Sequence, residues 1–159
     1  MLRNGIWLGL LITCLASGVQ AASNPQPSVK QMEDELFSLV NHERSLRGLS
    51  ALRPDVRLHA LARAHCLKMV RENHLDHNFP GYPRLSVRAA RVGLHFGSIG
   101  ENLAVGDTTI MRYFHEQMLA SPGHSENTLD KNYTHMGIGI VKSNGKFYVT
   151  QEFAHLYDP

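Results

Sequence analysis

The chain has 159 residues, with 16 Lys and Arg against 14 Asp and Glu and a formal net charge of +2. That is one domain's worth of sequence, and the 43% hydrophobic content is enough for a core of its own. Near-balanced charge without long like-sign runs excludes nucleic acid or anionic lipid as the expected main partner.

The first element is a leader. Arg3 precedes an uncharged stretch, Gly5 to Val19, that is too short to span a membrane comfortably, which takes about 20 apolar residues. Val19, Gln20 and Ala21 then place small residues at the cleavage positions. Residues 1–21 read as a secretory signal peptide cut near Ala21, which leaves no membrane span in the mature chain. Residues 22–33 are a polar leader and the start of the first helix, and residues 34–155 form the domain. Cys14 leaves with the signal, so Cys66 stands alone and no intramolecular disulfide is expected. An exported domain without one points to bacterial export, periplasmic or extracellular, and a monomer is expected.

Ser28 followed by Gln31 is a capping box that opens a helix over residues 29–46, with Val29, Met32, Leu36, Leu39 and Val40 as its apolar stripe and Gly48 as its stop. Asp55 opens a second helix to about Asn73, with Val56, Leu58, Leu61, Ala62, Cys66, Met69 and Val70 inward. Residues 78–83 (NFPGYP) are loop, and residues 85–92 a short third helix. Asp107 is the expected cap of a fourth helix from Thr108 to Ala120, with Ile110, Tyr113, Phe114 and Met118 inward, ended by Ser121-Pro122-Gly123. Met136, Ile138 and Ile140 alternate, as do Phe147, Val149, Gln151 and Phe153. Asn144-Gly145 between them suits a type I′ hairpin turn. A third strand is expected over residues 99–105. The class is α+β, helices layered on a small antiparallel sheet.

Ten histidines occur. His42, His59 and His65 lie inside helical patterns and read as surface or half-buried polar residues, and Cys66 reads as core. His77, Glu101 and His124 lie instead at element ends, where side chains are free to converge.

The ordered set "VNHER", "GEN", "SPGH", "MGIGI" and "FYVTQEFA" resembles the CAP family, which covers the cysteine-rich secretory proteins, antigen 5 and the group 1 pathogenesis-related proteins. The likeness is strongest to the short, disulfide-free bacterial branch, and it extends over residues 34–154. The resemblance implies a three-layer α–β–α sandwich whose open cleft gathers two histidines and usually two glutamates. His77 and His124 match the histidine positions and Glu101 the first glutamate. At the fourth position stands Ser121, with Glu116, His115 or Glu126 as possible replacements.

Two imidazoles and a carboxylate suit a divalent metal such as zinc, with His77, His124 and Glu101 as ligands. The same three groups suit acid–base catalysis, although no GxSxG nucleophile motif and no HExxH is present. The resemblance also implies a cleft that binds a small molecule, lipid or peptide, with Asn102, Glu126, Asn127 and Tyr133 as further contacts. Tyr82, Phe79 and Phe96, like Tyr133, fit either a groove wall or ordinary packing, and packing is favoured. Three readings follow: a ligand-binding cleft, a metal- or His/Glu-assisted hydrolase acting on envelope or host material, and an interaction module whose His–Glu cluster is only a buried polar network.

Overall fold

The computed structural model describes residues 26–157, so the expected signal peptide lies outside the described residues. The elements in chain order are α1 (Val29–Leu46), β1 (Arg53–Pro54), α2 (Val56–Glu72), α3 (Leu85–Arg91), β2 (Phe96–Gly106), α4 (Met111–Ala120), α5 (Pro122–Leu129), β3 (His135–Ser143) and β4 (Lys146–Leu156). The strands form one sheet in the order β1-β3-β4-β2, antiparallel except for the two-residue parallel pairing of β1 with β3.

Local chemistry sets most boundaries. The Ser28 hydroxyl accepts from the Gln31 amide at 3.2 Å while the Gln31 side chain accepts from the Ser28 amide at 2.8 Å, which satisfies two amides that a helix start leaves open. Asp55 caps α2 through the amides of Arg57 and Leu58. Asn144 and Gly145 both adopt positive φ, as a type I′ turn requires.

Helices cover both faces of the sheet. Met32, Leu36 and Val40 of α1 and Met111, Phe114 and Met118 of α4 pack against Met136, Ile138 and Ile140 of β3 and Phe147, Val149 and Phe153 of β4. On the other face, α2 and α3 present Leu58, Leu61, Cys66, Met69 and Ala89 to Leu103, Tyr148, Ala154 and Leu156. The α2 axis comes so close to β3 that a Cβ at Gly137 would overlap the backbone of Leu58 and His59, and one at Gly139 the backbone of Ala62 and Arg63. The α–β–α sandwich is therefore present, and two glycines set its tightest layer spacing.

Four local expectations are corrected. Helix α4 starts at Met111, not Thr108: Thr108 uses its hydroxyl to accept from the Ile110 amide in a turn, and Asp107 caps nothing. Phe114 and Met118 face in as expected and are joined by Met111 and His115, whereas Ile110 (62% exposed), which precedes the helix, and Tyr113 face out. Pro122 does not merely end α4. It is the first residue of α5, where a missing amide hydrogen costs nothing, so residues 124–127 are helical rather than loop. Val56 of the expected α2 stripe is the first residue of the helix and is 83% exposed. Finally, His65 is fully buried, under Phe79 and Tyr82, rather than at the surface.

Candidate functional site

Strand β2 is the open edge of the sheet, and the sequence Gly100-Glu101-Asn102 lies in its middle. Strand alternation sends successive side chains to opposite faces. Glu101 pairs in register with Glu152, which pairs in turn with Gly137, so Glu101 and Glu152 project together toward α2 and α3. Asn102 pairs with Gln151 and projects to the opposite side, toward α5.

The Glu101 side is a charged network. His77 Nδ1 lies 2.9 Å from Glu101 Oε1, and Arg88 Nη2 donates to Glu101 Oε2 at 2.9 Å. Arg88 Nη1 reaches Glu152 Oε1 at 3.5 Å, and Arg88 Nε donates to the Pro83 carbonyl. His65 Nε2 donates to the Asp76 carbonyl at 2.9 Å and stands 3.7 Å from Glu101 Oε1. Arg88, Glu101 and Glu152 are buried, whereas the His77 side chain is 49% exposed. One ionisable group thus reaches water while its partners do not.

Their proton affinities follow from that arrangement. Burial, then the neighbouring Glu101 charge, pushes Glu152 well above the usual carboxylate range. Burial opposes ionisation of Glu101 too, but the His77 hydrogen bond and the nearby His65 and Arg88 charges outweigh it and hold Glu101 below its ordinary value. Of the two carboxyls, Glu152 is therefore the one whose neutral form is favoured and Glu101 the one whose anion is favoured. The hydrogen bond to Glu101 raises His77, and burial lowers His65.

The Asn102 side is a neutral network. Asn102 Nδ2 donates to the His124 carbonyl at 3.0 Å, to Gln151 Oε1 at 3.1 Å and to Thr128 Oγ1 at 3.3 Å. Asn127 Nδ2 donates to Asn102 Oδ1 at 2.9 Å and to the Glu101 carbonyl at 3.3 Å, and Tyr133 donates to Asn127 Oδ1 at 3.4 Å. A Cβ at Gly100 would collide with Asn127 Oδ1 and the Tyr133 hydroxyl, which is why that position is glycine. These bonds dock α5 on β2 and fix the backbone of His124.

The sequence-predicted residues therefore separate. His77 and Glu101 meet in direct contact. The half-buried His124 ring makes no hydrogen bond among the described residues. Burial, then the charge of His77, lowers its proton affinity. Asn102, Asn127 and Tyr133 have their polar groups committed to the interior, and Tyr133 stacks on Phe153. Glu126 is exposed. Phe79 is buried and Tyr82 half-buried, packed on His65 and Arg88, and Phe96 packs beside the Leu58 cluster, so packing accounts for these aromatics.

None of Ser121, Glu116, His115 and Glu126 reaches Glu101. The second carboxylate is Glu152, which Arg88 bridges to Glu101, while His65 stands beside Glu101. Glu152 was readable in "FYVTQEFA": a glutamate in a strand covered by helices on both faces has to be buried and partnered.

The zinc expectation meets a specific obstacle. Both Glu101 oxygens are engaged, one by a fixed guanidinium, and among the described residues no three His, Cys, Asp or Glu side chains are grouped as metal ligands. As they stand, these residues do not fit a three-ligand site through Glu101. Beside the pair lies an open hollow of about 470 Å³, walled by His77, Asn78, Arg84, Ser86, Ile99 and Glu101.

The model of the CAP family, described as the cysteine-rich secretory protein family, matches residues 37–153. The chain belongs to the CAP family. It is 33% identical over 138 residues to the uncharacterized protein YkwD of Bacillus subtilis (strain 168), covering 87% of this chain and 52% of that protein. Among solved structures, this CAP domain is similar to an extracellular protein containing a SCP domain from Bacillus anthracis, at 30% identity and a TM-score of 0.71 over 83% of this chain and 45% of that one. An outer surface protein of Borrelia burgdorferi shares the fold, with a TM-score of 0.76 and 19% identity over 85% of this chain and 100% of its own. The chain spans about half the length of YkwD and of the Bacillus anthracis protein. No helix among the described residues is long and apolar enough to cross a membrane.

Proposed function

We propose that the chain is an exported CAP domain whose hollow at the β2 edge binds a ligand, with the His77–Glu101 pair as the polar centre of the site. The observation that carries this reading is the 2.9 Å contact between a half-exposed imidazole and a buried carboxylate clamped by Arg88. This network holds a titratable ring at the wall of a solvent-open hollow, the setting in which perturbed ionisable groups mark a candidate site. Export is supported by the leader read from residues 1–21 and by the extracellular and outer-surface relatives. Calorimetric titration with short peptides, lipids and peptidoglycan fragments tests it. His77→Ala and Glu101→Gln should weaken any ligand found by roughly ten-fold, about 1.4 kcal/mol. Unchanged affinity in both variants would place the binding surface elsewhere and leave an interaction module.

A hydrolase is the second reading, favoured by one detail of the same contact. Glu101 takes the Nδ1 side of His77, so in the neutral ring the proton sits on Nδ1 and the Nε2 lone pair faces the hollow, oriented to take a proton from water or a hydroxyl. Turnover of esters, peptides or peptidoglycan fragments that survives Glu101→Gln would remove Glu101 from any such mechanism. Neither reading routes a step through a zinc ion held by Glu101, whose oxygens are committed to His77 and Arg88.

A further inference from the structure

The hollow beside His77 carries more cation than its buried floor suggests. Arg84, at the entry to α3, lines it and is exposed, and the guanidinium makes no ion pair among the described residues. The Nε2 edge of His77 is likewise without a partner among them, since the other nitrogen faces Glu101. The Asn78 side-chain amide and the Ser86 hydroxyl line the same hollow, and neither makes a hydrogen bond of its own among the described residues. The one carboxylate in the wall, Glu101, is offset from behind: Arg88 bridges it and Glu152 at 2.9 and 3.5 Å. Leu85 and Ile99 supply apolar wall on either side.

We propose that this hollow takes the carboxylate group of an acidic ligand, held by the Arg84 guanidinium and by the Nε2–H of His77 in its imidazolium form. The assignment rests on the reading of the hollow as a binding site and names what it binds. A guanidinium presents paired donors that match the two oxygens of a carboxylate, and charge-assisted bonds of this kind are the strong ones. A single permanent cation, with an anionic oxygen already behind it, suits a monoanion better than a dianionic phosphate. The volume, about 470 Å³, accommodates a terminal residue or two with an apolar side chain against Leu85 and Ile99. Asn78 and Ser86 are then placed to bond the adjoining amide.

The test uses three probes on the ¹⁵N-labelled protein: N-acetyl-alanyl-alanine, its C-terminal amide, and inorganic phosphate. The free acid should move the backbone signals of residues 77, 78, 84–86 and 99–101 saturably. The amide should bind at least ten-fold more weakly, about 1.4 kcal/mol, and phosphate no more tightly than the acid. Arg84→Gln, an exposed position that leaves the fold's signals in place, should cost the acid at least ten-fold, with Arg84→Lys recovering part of the loss. Equal affinity for acid and amide, stronger binding of phosphate, or an Arg84→Gln variant that binds like wild type overturns the carboxylate assignment while leaving a binding hollow. Absence of saturable shifts with the acid overturns it as well. The broader reading falls separately, if ligands found by calorimetry bind undiminished to both His77→Ala and Glu101→Gln.

Discussion

Burial and the Glu101 charge favour the protonated form of Glu152, and this has consequences that single residues can report. Its carboxyl is fully buried, and one oxygen, Oε2, has no partner among the described groups. Glutamine mimics a protonated glutamate in shape and can donate to Glu101. Glu152→Gln should therefore keep the fold and leave His77 titrating above an ordinary imidazole, as NMR of the ring would show; a His77 midpoint that drops to the ordinary value would mean that Glu152 is not the proton carrier. Arg88→Met differs in kind. It strands two buried carboxyls, and losing one partner of a buried ionic network costs roughly 3–5 kcal/mol, measurable by denaturant unfolding. Cys66 supplies a contrasting check. Burial pushes its thiol up to about 12, and its Sγ contacts the Gly139 and Tyr148 carbonyls and Thr150 Oγ1. A thiol reagent should leave the folded protein untouched and label it only on unfolding. The core placement of Cys66 was readable from helical spacing alone. The burial of His65 was not, because the stripe that defines the inner face of α2 was drawn from apolar residues, and an imidazole that pairs with a backbone carbonyl and lies under aromatic rings satisfies the same face.

Among the elements, the hairpin shows what sequence pattern resolves well. Alternation in "MGIGI" and "FYVTQEF" together with Asn144-Gly145 is a local signal, and the strands and their turn follow it. The glycines of that strand carry information that alternation does not. Gly137 and Gly139 face α2 with no room for a side chain, so α2 is pressed onto β3 backbone to backbone. Gly137→Ala should cost roughly 3 kcal/mol or more, at or beyond the usual range for overpacking, because the colliding atoms are backbone that cannot rotate aside. Thermal unfolding checks it, and a change of less than about 1 kcal/mol would mean that the layers can part cheaply. Helix α5 is the element that pattern reading missed. Ser-Pro-Gly ends one helix and also starts the next, since Pro at a first helical position loses nothing. No hydrophobic period marks the short run PGHSENTL, and what holds it is the Asn102–Asn127–Thr128 network, whose two sides lie far apart along the chain. That distance explains why the cleft was legible only in part. His77 and Glu101 could be placed at one site from their motifs, whereas the partners Arg88 and Glu152 depend on sheet register, which appears only when the strands are paired.

At the scale of the whole molecule, the protonation states make stability depend on pH. Burial, as the leading cause, lowers the proton affinity of His65, His115 and His124 in the fold. Each takes up a proton more readily in the unfolded chain, so as pH falls through about 6.5 the unfolded state gains protons that the folded state refuses, and stability drops. His77 and Glu152 run the other way, with folded affinities raised by the Glu101 hydrogen bond and by burial respectively. The stability due to His77 is fully present below about 6.5 and is lost as pH rises toward its folded value. Glu152 penalises the fold progressively above about 4.3, where the unfolded carboxyl ionises and the buried one does not. Below about 6.5 the three imidazoles act against Glu152; above it His77 joins Glu152 and, from about 8.5, the Cys66 thiol, all lowering stability as pH rises. The unfolding midpoint should therefore fall as pH rises above about 6.5, and the three imidazoles set an acid limb below it. Glu152→Gln should flatten the alkaline limb, because it removes one of the groups that lose stability as pH rises. The same change should steepen the acid limb between about 4.3 and 6.5, where Glu152 had opposed the three imidazoles. A midpoint that climbs steadily into alkaline pH would show that neither His77 nor Glu152 holds its proton in the fold, and the charge pattern assigned to the cleft would have to be redrawn.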